Sequence, residues 1–411
     1  MRVGVFFPGF PPQAGGGYTF ENEILISLAK IAGESRHHFT LFMVNPFPDN
    51  AILPEDKNLE IVQLALERNI NSRSGLFFKL RNRWNQILEK LGFMIGVKVG
   101  IVHETMFQQA VRQAGIDFLW YPTIDTLPSD IPYLVTVWDI QHRLQPWFPE
   151  VSLNGEWERR EAYFSTLLRR ATFIVTGNKA GKQELALFYQ LPDDRFKLLP
   201  HPNPHIEKIT SEDVKNVLSK YSISAGYLFY PAQFWAHKNH AGLLFALQIL
   251  RDQYKKEMQI VFTGSDQGNM EYIRGVAEQL GLVDQVHFLG FIPRHDLLAL
   301  YSGAFALVYP TFFGPENLPP LEAFSLGCPV IASSVHGAEE QLGDAALLVN
   351  PADASQTAEE IFKLSSDEVL RKHLIAAGYE RARKWTSLDF VRGIFSVLDE
   401  FEAIRKCWSS D

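Results

Sequence analysis

Short apolar runs alternate with helix-period segments along most of the chain, and no other feature restricts its architecture as much. "VGVFFPG" ends in Pro and Gly, "QAGGGYTFENEILISLAKIAG" supplies a glycine loop and a helical pattern, and "HHFTLFMVNP" reads as a second strand. Strand, loop, helix and strand make a βαβ unit, whose two strands lie parallel. The rhythm continues through "GIDFLWYP", "IPYLVTVWDI", the helical "WERREAYFSTLLRRA" and "TFIVTGN". It restarts after "FKLLPHPNPHIEK" with the runs "YLFYPAQ", "MQIVFTGS", "VHFLGF", "FALVYPT", "PVIASS" and "AALLVNP", mostly separated by helical segments. The end, from "TAEEIFKL" to "DEFEAIRKCW", reads as helix throughout. The expected class is α/β, two Rossmann-like parallel-sheet domains in series. The boundary falls near Pro200 to Ser211, where "PHPNP" cannot hold regular structure.

Composition narrows the possibilities. A chain of 411 residues exceeds one ordinary core. A hydrophobic fraction of 46% and a charged fraction of 21% fit a globular chain. The net charge of −8 argues against nucleic acid as a partner of the whole molecule. Two cysteines, Cys328 and Cys407, make no disulfide framework and suit a reducing compartment, so a cytoplasmic location is expected. "MRVGVFFPGF" could imitate a signal peptide, but Pro8, Gly9, Pro11 and Pro12 interrupt it, and a first buried strand is the better reading. No stretch approaches the 18 or so apolar residues of a membrane-spanning helix. The aromatic, basic stretch from Asn71 to Gly100 fits either a membrane-surface segment or a core-facing helix pair.

Open parallel sheets bind ligands outside the carboxyl ends of their strands. Two such sheets facing each other make the interdomain cleft the default site. This filter selects "PGFPPQAGGGY", "WDIQHR", "PAQFWAHKN", "GSDQGN", "GFIPRH", "FFGPENLPPLE" and "SSVHGAEE". In the first, Gly15, Gly16 and Gly17 offer backbone amides at a helix start, either an anion site or a flexible turn. Their spacing is not the G-x-G-x-x-G of dinucleotide binding. Lys238 and Asn239 open a helix, where the lysine is either a point charge for phosphate or a solvated cap. Glu322, with a helix starting near Pro319, would sit in the first turn, favoured there by the dipole. Equally, it could accept hydrogen bonds from paired sugar hydroxyls. Asp139 and His142 follow a strand and are candidates to orient a nucleophile or take its proton, or else a cap and a packed ring. No D-x-D, H-E-x-x-H, paired C-x-x-C or G-x-x-x-x-G-K-[ST] occurs, so neither a metal nor a P-loop is expected.

Taken together, "YPAQFWAHKNH", "VHFLGFI", "LLALYSGAFALVYPT", "FFGPENLPPLEAFSLGCPVIAS" and "GDAALLVNPAD" resemble glycosyltransferase family 4, the retaining GT-B enzymes. The resemblance is strong over Tyr227 to Pro351 and weaker, but in order, before it. It implies an acceptor-side domain over 1–205, a nucleotide-sugar-binding domain over 206–385, and C-terminal helices 386–411 crossing back to the first. The family carries two glutamates with seven residues between them. Glu322 matches the second, which binds ribose hydroxyls, whereas Gly314 occupies the place of the first, which holds the transferred sugar. Glu316, two residues on, is the candidate replacement. Lys238 matches the family's phosphate-binding lysine, while Gln233 stands where an arginine is usual, and Trp138–Asp139 stand where the family has His-Asp. The implied donor site further includes Gly264, the backbone near Phe291 and Ile292, and the amides of Asn317 and Leu318. Asp139, His142, Glu316 and Lys238 are the catalytic candidates.

The implied activity is a retaining, metal-independent hexosyl transfer, with UDP-glucose the expected donor and a glycan or lipid-linked acceptor in surface polysaccharide biosynthesis. No cofactor beyond the donor substrate is expected, and contact with the inner membrane face is a possible accompaniment. The departures leave open a catalytically inactive scaffold that binds nucleotide sugar. An epimerase on the same fold and a Rossmann oxidoreductase are weaker rivals.

Overall fold

The computed structural model describes residues 1–45, 58–64, 106–126 and 129–408. The stretch from Asn71 to Gly100 therefore lies outside the described residues. The chain forms two parallel sheets. The first contains β1 (Arg2–Phe7), β2 (His38–Met43), β3 (Leu59–Gln63), β4 (Phe118–Tyr121), β5 (Tyr133–Thr136), β6 (Phe173–Thr176) and β7 (Phe196–Leu198). Its strand order is β3-β2-β1-β4-β5-β6-β7. The second contains β8 (Leu228–Pro231), β9 (Ile260–Thr263), β10 (Val286–Phe288), β11 (Ala306–Tyr309), β12 (Val330–Ser333) and β13 (Ala346–Val349), in the order β10-β9-β8-β11-β12-β13.

The central strands are continuous apolar runs because helices cover both faces of each sheet. Phe118 through Tyr121 are all buried, as are Ile260 through Thr263 and Ala306 through Tyr309. The two strands that the apolar pattern misses, β3 and β7, are the edges of the first sheet. β3 is nowhere fully buried, and β7 has a single buried residue, Phe196. An edge strand pairs on one side only, so it needs no continuous apolar run.

The chain crosses between the domains twice. The first passage runs through Pro200–Pro204. The second is Trp385–Thr386, whose carbonyl at Trp385 accepts from the backbone and side-chain amides of Asn203 at 3.1 and 2.9 Å. The helix Ser387–Arg405 then packs on the first sheet, where Phe390, Val391, Ile394 and Leu398 join the core of Val3, Val5, Phe39 and Leu41. Phe39 and Phe395 stack at 5.3 Å between ring centres. No helix among the described residues is long and apolar enough to cross a membrane.

Candidate active site

The loops that leave the carboxyl ends of both sheets meet face to face. On the second domain, Pro231 ends β8 and the chain turns through a short helical turn at Ala236–Lys238 into the helix His240–Asp252. Asn239 makes that turn. It adopts φ 58°, caps the helix by accepting from Gly242 N at 3.2 Å, and donates to the carbonyls of Pro310 and Pro351. One side chain thus ties together the loops after β8, β11 and β13. Lys238, on the same turn, donates from Nζ to the Tyr309 hydroxyl at 2.8 Å. Gly264 closes β9 with φ 141° and an N–H to Gly290 O at 2.8 Å; a Cβ there would lie 2.3 Å from Ala232 O. Only glycine allows these neighbouring loops so close. Ile292 is buried beside them, and Phe291 is half exposed.

The helix Leu318–Ser325 starts one residue before the expected point. Glu322 is therefore its fifth residue, with no acidic group in the first turn, and the dipole does not account for it. Its carboxylate is 5% exposed and accepts from the Tyr301 hydroxyl at 2.9 Å, with Arg294 Nη1 at 3.9 Å. Burial pushes this carboxyl above its ordinary range, against the pull of Arg294 and Tyr301. Asn317 precedes the helix and donates its N–H to Gln341 Oε1 at 2.9 Å. Leu318 packs toward the first domain, where a Cβ on Gly16 would sit 3.8 Å from Leu318 Cδ2. Gly16 and Gly17 are not a loop: the helix Gly16–Ile31 begins at Gly16, after a turn at Gly15 with φ 66°. Gln233 Nε2 reaches across the cleft to Gln13 O at 2.5 Å. The glycine segment, Gln233 and Leu318 thus meet at one place, as the strand-end rule requires.

Two candidates lie elsewhere. His142 does not face the cleft. Its ring is fully buried in the first domain, stacked on Phe164 at 5.1 Å, with Nε2 3.2 Å from the Tyr189 hydroxyl and 3.4 Å from Glu161. Burial lowers its pKa, and it is a packed core histidine. Asp139, two residues earlier, is exposed and accepts from Gln141 N at 3.1 Å, closing the turn before Gln141–Leu144. Glu316 is turned away from Gly314. Its carboxylate accepts from His201 N at 3.1 and 3.3 Å, at the first interdomain passage. It lies against Gly177, where a Cβ would fall 1.3 Å from Oε2. Burial pushes the Glu316 carboxyl up to about 8. At Gly314, φ is 104° and a Cβ would meet Asn317 Nδ2 at 2.7 Å, so the loop as it stands leaves no room for a side chain there.

The structure adds residues that the sequence pattern passed over. Asn178 caps the helix Lys179–Tyr189 by accepting from Gly181 N at 2.8 Å, and its amide donates across the cleft to Pro315 O at 2.9 Å. Gln145 donates to Phe312 O at 2.6 Å. Glu150 accepts from the His237 N–H at 2.8 Å and pairs with its Nδ1. His237 stacks on Phe313 at 3.8 Å, and Phe148 packs edge-on to Phe313 at 5.1 Å. Burial brings the His237 imidazole down to about 4. Glu150, which burial alone would raise, is held below its ordinary range by the hydrogen bonds from His237. The pair is thus a neutral imidazole donating to an ionised carboxylate. Gly177 and Asn178 follow β6 and so satisfied the strand-end rule; Glu150 lies in a short helical segment, Pro149–Ser152, and Phe148 just before it, where there was no such signal.

Residues 223–381 match the family model described as Glycosyl transferases group 1. An O-antigen chain mannosyltransferase B of Escherichia coli is 29% identical over 222 residues, which are 53% of this chain and 58% of that protein's length. The O-antigen chain mannosyltransferase RfbU of Salmonella typhimurium is 25% identical over 316 residues, 71% of this chain and 83% of that one. Among solved structures, sucrose-phosphate synthase from Thermosynechococcus elongatus superposes with a TM-score of 0.69 at 17% identity, covering 98% of this chain and 99% of that one. WaaG, a glycosyltransferase involved in lipopolysaccharide biosynthesis, superposes with a TM-score of 0.66 at 16% identity, covering 96% and 99%. The chain thus has the two-domain GT-B fold, and its second domain is similar to the group 1 glycosyltransferases.

Proposed function

We propose that the protein is a retaining glycosyltransferase that moves a hexose from a nucleotide-diphosphate sugar to a hydroxyl of a glycan or lipid-linked acceptor in surface polysaccharide synthesis. The observation that carries it is the approach across the cleft of Gln233 to the Gln13 carbonyl and of Leu318 to the Gly16 helix start, where Gln233 and Leu318 belong to the domain with the family match. Glu322 would hold the ribose. Lys238, Gln233 and the amides at Gly16 and Gly17 would hold the diphosphate, so that cation and helix amides stabilise the leaving group. No metal enters this scheme. The acceptor hydroxyl attacks the anomeric carbon on the face from which the diphosphate departs; the phosphate oxygen takes the bonding pair and then the hydroxyl proton. Domain closure would exclude water and favour transfer over hydrolysis.

The donor is the finer question. The named relatives are mannosyltransferases, which favours a mannosyl donor over the UDP-glucose expected from family frequency. Purified protein would be incubated with GDP-mannose, UDP-glucose, UDP-galactose and UDP-N-acetylglucosamine, following nucleotide release and thermal shift. Release from one donor, lost in Lys238→Ala and Glu322→Ala, is expected. Binding without release under every acceptor tried would favour the inactive scaffold, and an inverted product anomer would exclude the retaining route.

A further inference from the structure

Two buried tyrosines hold Lys238, and neither takes away its charge. Its backbone carbonyl accepts from the Tyr230 hydroxyl, and its ammonium donates to the Tyr309 hydroxyl at 2.8 Å. The same ammonium lies 5.2 Å from the centre of the Tyr309 ring, within reach of a cation–π contact. Tyr230 is wholly buried and Tyr309 is 2% exposed, and their rings pack edge-on at 5.2 Å. Tyr230 lies near the end of β8 and Tyr309 closes β11, two strands that pair side by side.

The turn that carries Lys238 is fixed from the β11 side at further points. The His237 carbonyl accepts from Phe312 N at 2.9 Å and from the Thr311 hydroxyl at 3.3 Å. Asn239 donates to Pro310 O at 3.0 Å. Tyr309 O accepts from Ser333 Oγ at 3.3 Å, which ties its main chain to β12. The backbone and the ammonium of Lys238 are thus both set by the paired strands β8 and β11.

The chemistry of the partner decides what this arrangement is good for. A lysine side chain is flexible, and ordering it costs conformational entropy that otherwise falls on the binding step. A carboxylate would also order it, but would cancel its charge and compete with a bound anion. A phenol hydroxyl takes one of the three ammonium N–H groups and leaves two, with the charge intact. Among the described residues no carboxylate pairs with Lys238. The side chain is half-buried, where a charge acts through a lower dielectric than water. An ordered, uncompensated cation in such a place is suited to stabilise charge that develops on a leaving group.

We propose that Tyr309 is a positioning residue for the transfer, its hydroxyl setting the Lys238 ammonium against the departing diphosphate while Tyr230 fixes the backbone behind it. This rests on the glycosyltransferase reading above. The role of Tyr309 runs through Lys238 alone, which distinguishes it from a residue that only packs.

The test uses the whole protein. Calorimetric titration with UDP and GDP reports the diphosphate, and saturation-transfer NMR with uridine and guanosine reports the nucleoside. Tyr309→Phe keeps the ring and removes the hydroxyl. It should weaken the nucleoside diphosphate about five- to tenfold and leave nucleoside binding unchanged. For the donor that gives nucleotide release, kcat should fall by more than KM rises. In a Lys238→Ala background the same substitution should have no further effect on the diphosphate. Tyr230→Phe, which frees the Lys238 carbonyl, should show the same selectivity to a smaller degree and serves where Tyr309→Phe folds poorly. Four results would overturn the positioning role: an equal loss of diphosphate and nucleoside, a loss that adds to that of Lys238→Ala, a rise in KM with kcat unchanged, or no loss at all. Native protein that binds neither UDP nor GDP would instead overturn the glycosyltransferase reading, and this inference with it.

Discussion

Glu316 and Gly177 form a pair in which each explains the other. The carboxylate reaches the His201 amide only because residue 177 has no Cβ, which would fall 1.3 Å from Oε2. Gly177→Ala should therefore cost about 1–3 kcal/mol by overpacking, and much less in a Glu316→Ala background. A denaturant double-mutant cycle measures the difference; additive losses would mean that the two do not compete for this space. The titration of Glu316 has a definite sign. Its folded-state pKa is pushed up to about 8 from an ordinary 4.5. Between those values the folded protein binds more protons than the unfolded chain, so stability falls as pH rises through that window. Glu316→Gln keeps an acceptor for His201 and removes the titration. Its melting temperature should exceed that of native protein at pH 8, by about 2–4 °C, with little difference at pH 5. At Gly314, restoring the family's glutamate should not restore a family site. With φ at 104° and Asn317 Nδ2 2.7 Å from a Cβ, Gly314→Glu should destabilise the loop by about 1–3 kcal/mol and fail to raise nucleotide release.

At the scale of elements, helix starts hold the site in place. Asn239 caps His240–Asp252 and ties the Pro310 and Pro351 carbonyls, and Asn178 caps Lys179–Tyr189 and ties Pro315. Each cap thus fixes both a helix and the loop opposite. Thr386 provides a contrasting case. It forms a reciprocal capping box with Asp389, accepting from Asp389 N and donating to its carboxylate at 2.6 Å, at the start of the helix that packs on the first sheet. Thr386→Ala should lower stability by about 1 kcal/mol, seen as a fall in the denaturation midpoint, and leave nucleotide affinity unchanged. A change in nucleotide affinity would show that this helix also sets the cleft.

At the scale of the molecule, the two domains are held by a few contacts of differing character. Glu150 with His237, inside the aromatic group of Phe148 and Phe313, is the one that pairs two ionisable side chains away from water. Removing one partner leaves the other dry and unpaired, which costs more than the bond itself contributes. Glu150→Ala should open the cleft in solution, measured as a larger radius of gyration by small-angle X-ray scattering, and should raise the donor KM several-fold. An unchanged radius would place the closure in the other crossings, at Asn178, Gln145 and Gln233.

Two parallel sheets, the passage near "PHPNP" and the cleft-facing loops were all legible in the sequence, because apolar period and Gly-Pro punctuation are local properties of the chain. That Gln233, Lys238, Gly264 and Leu318 each follow a strand was legible too. The edge strands β3 and β7 were not legible, because half-paired strands bury too little to show an apolar run. The orientation of individual side chains was decided only in three dimensions. Asp139 and His142 lie three residues apart at the end of β5, yet one is exposed and the other is fully buried against Phe164. Glu316 stands two residues from the expected position and points at the hinge, and Glu184 finds His336 at a separation of 152 residues. The residue types set what chemistry the cleft could hold. Which carboxylates face the cleft depended on the packing of one domain against the other, to which no local pattern responds.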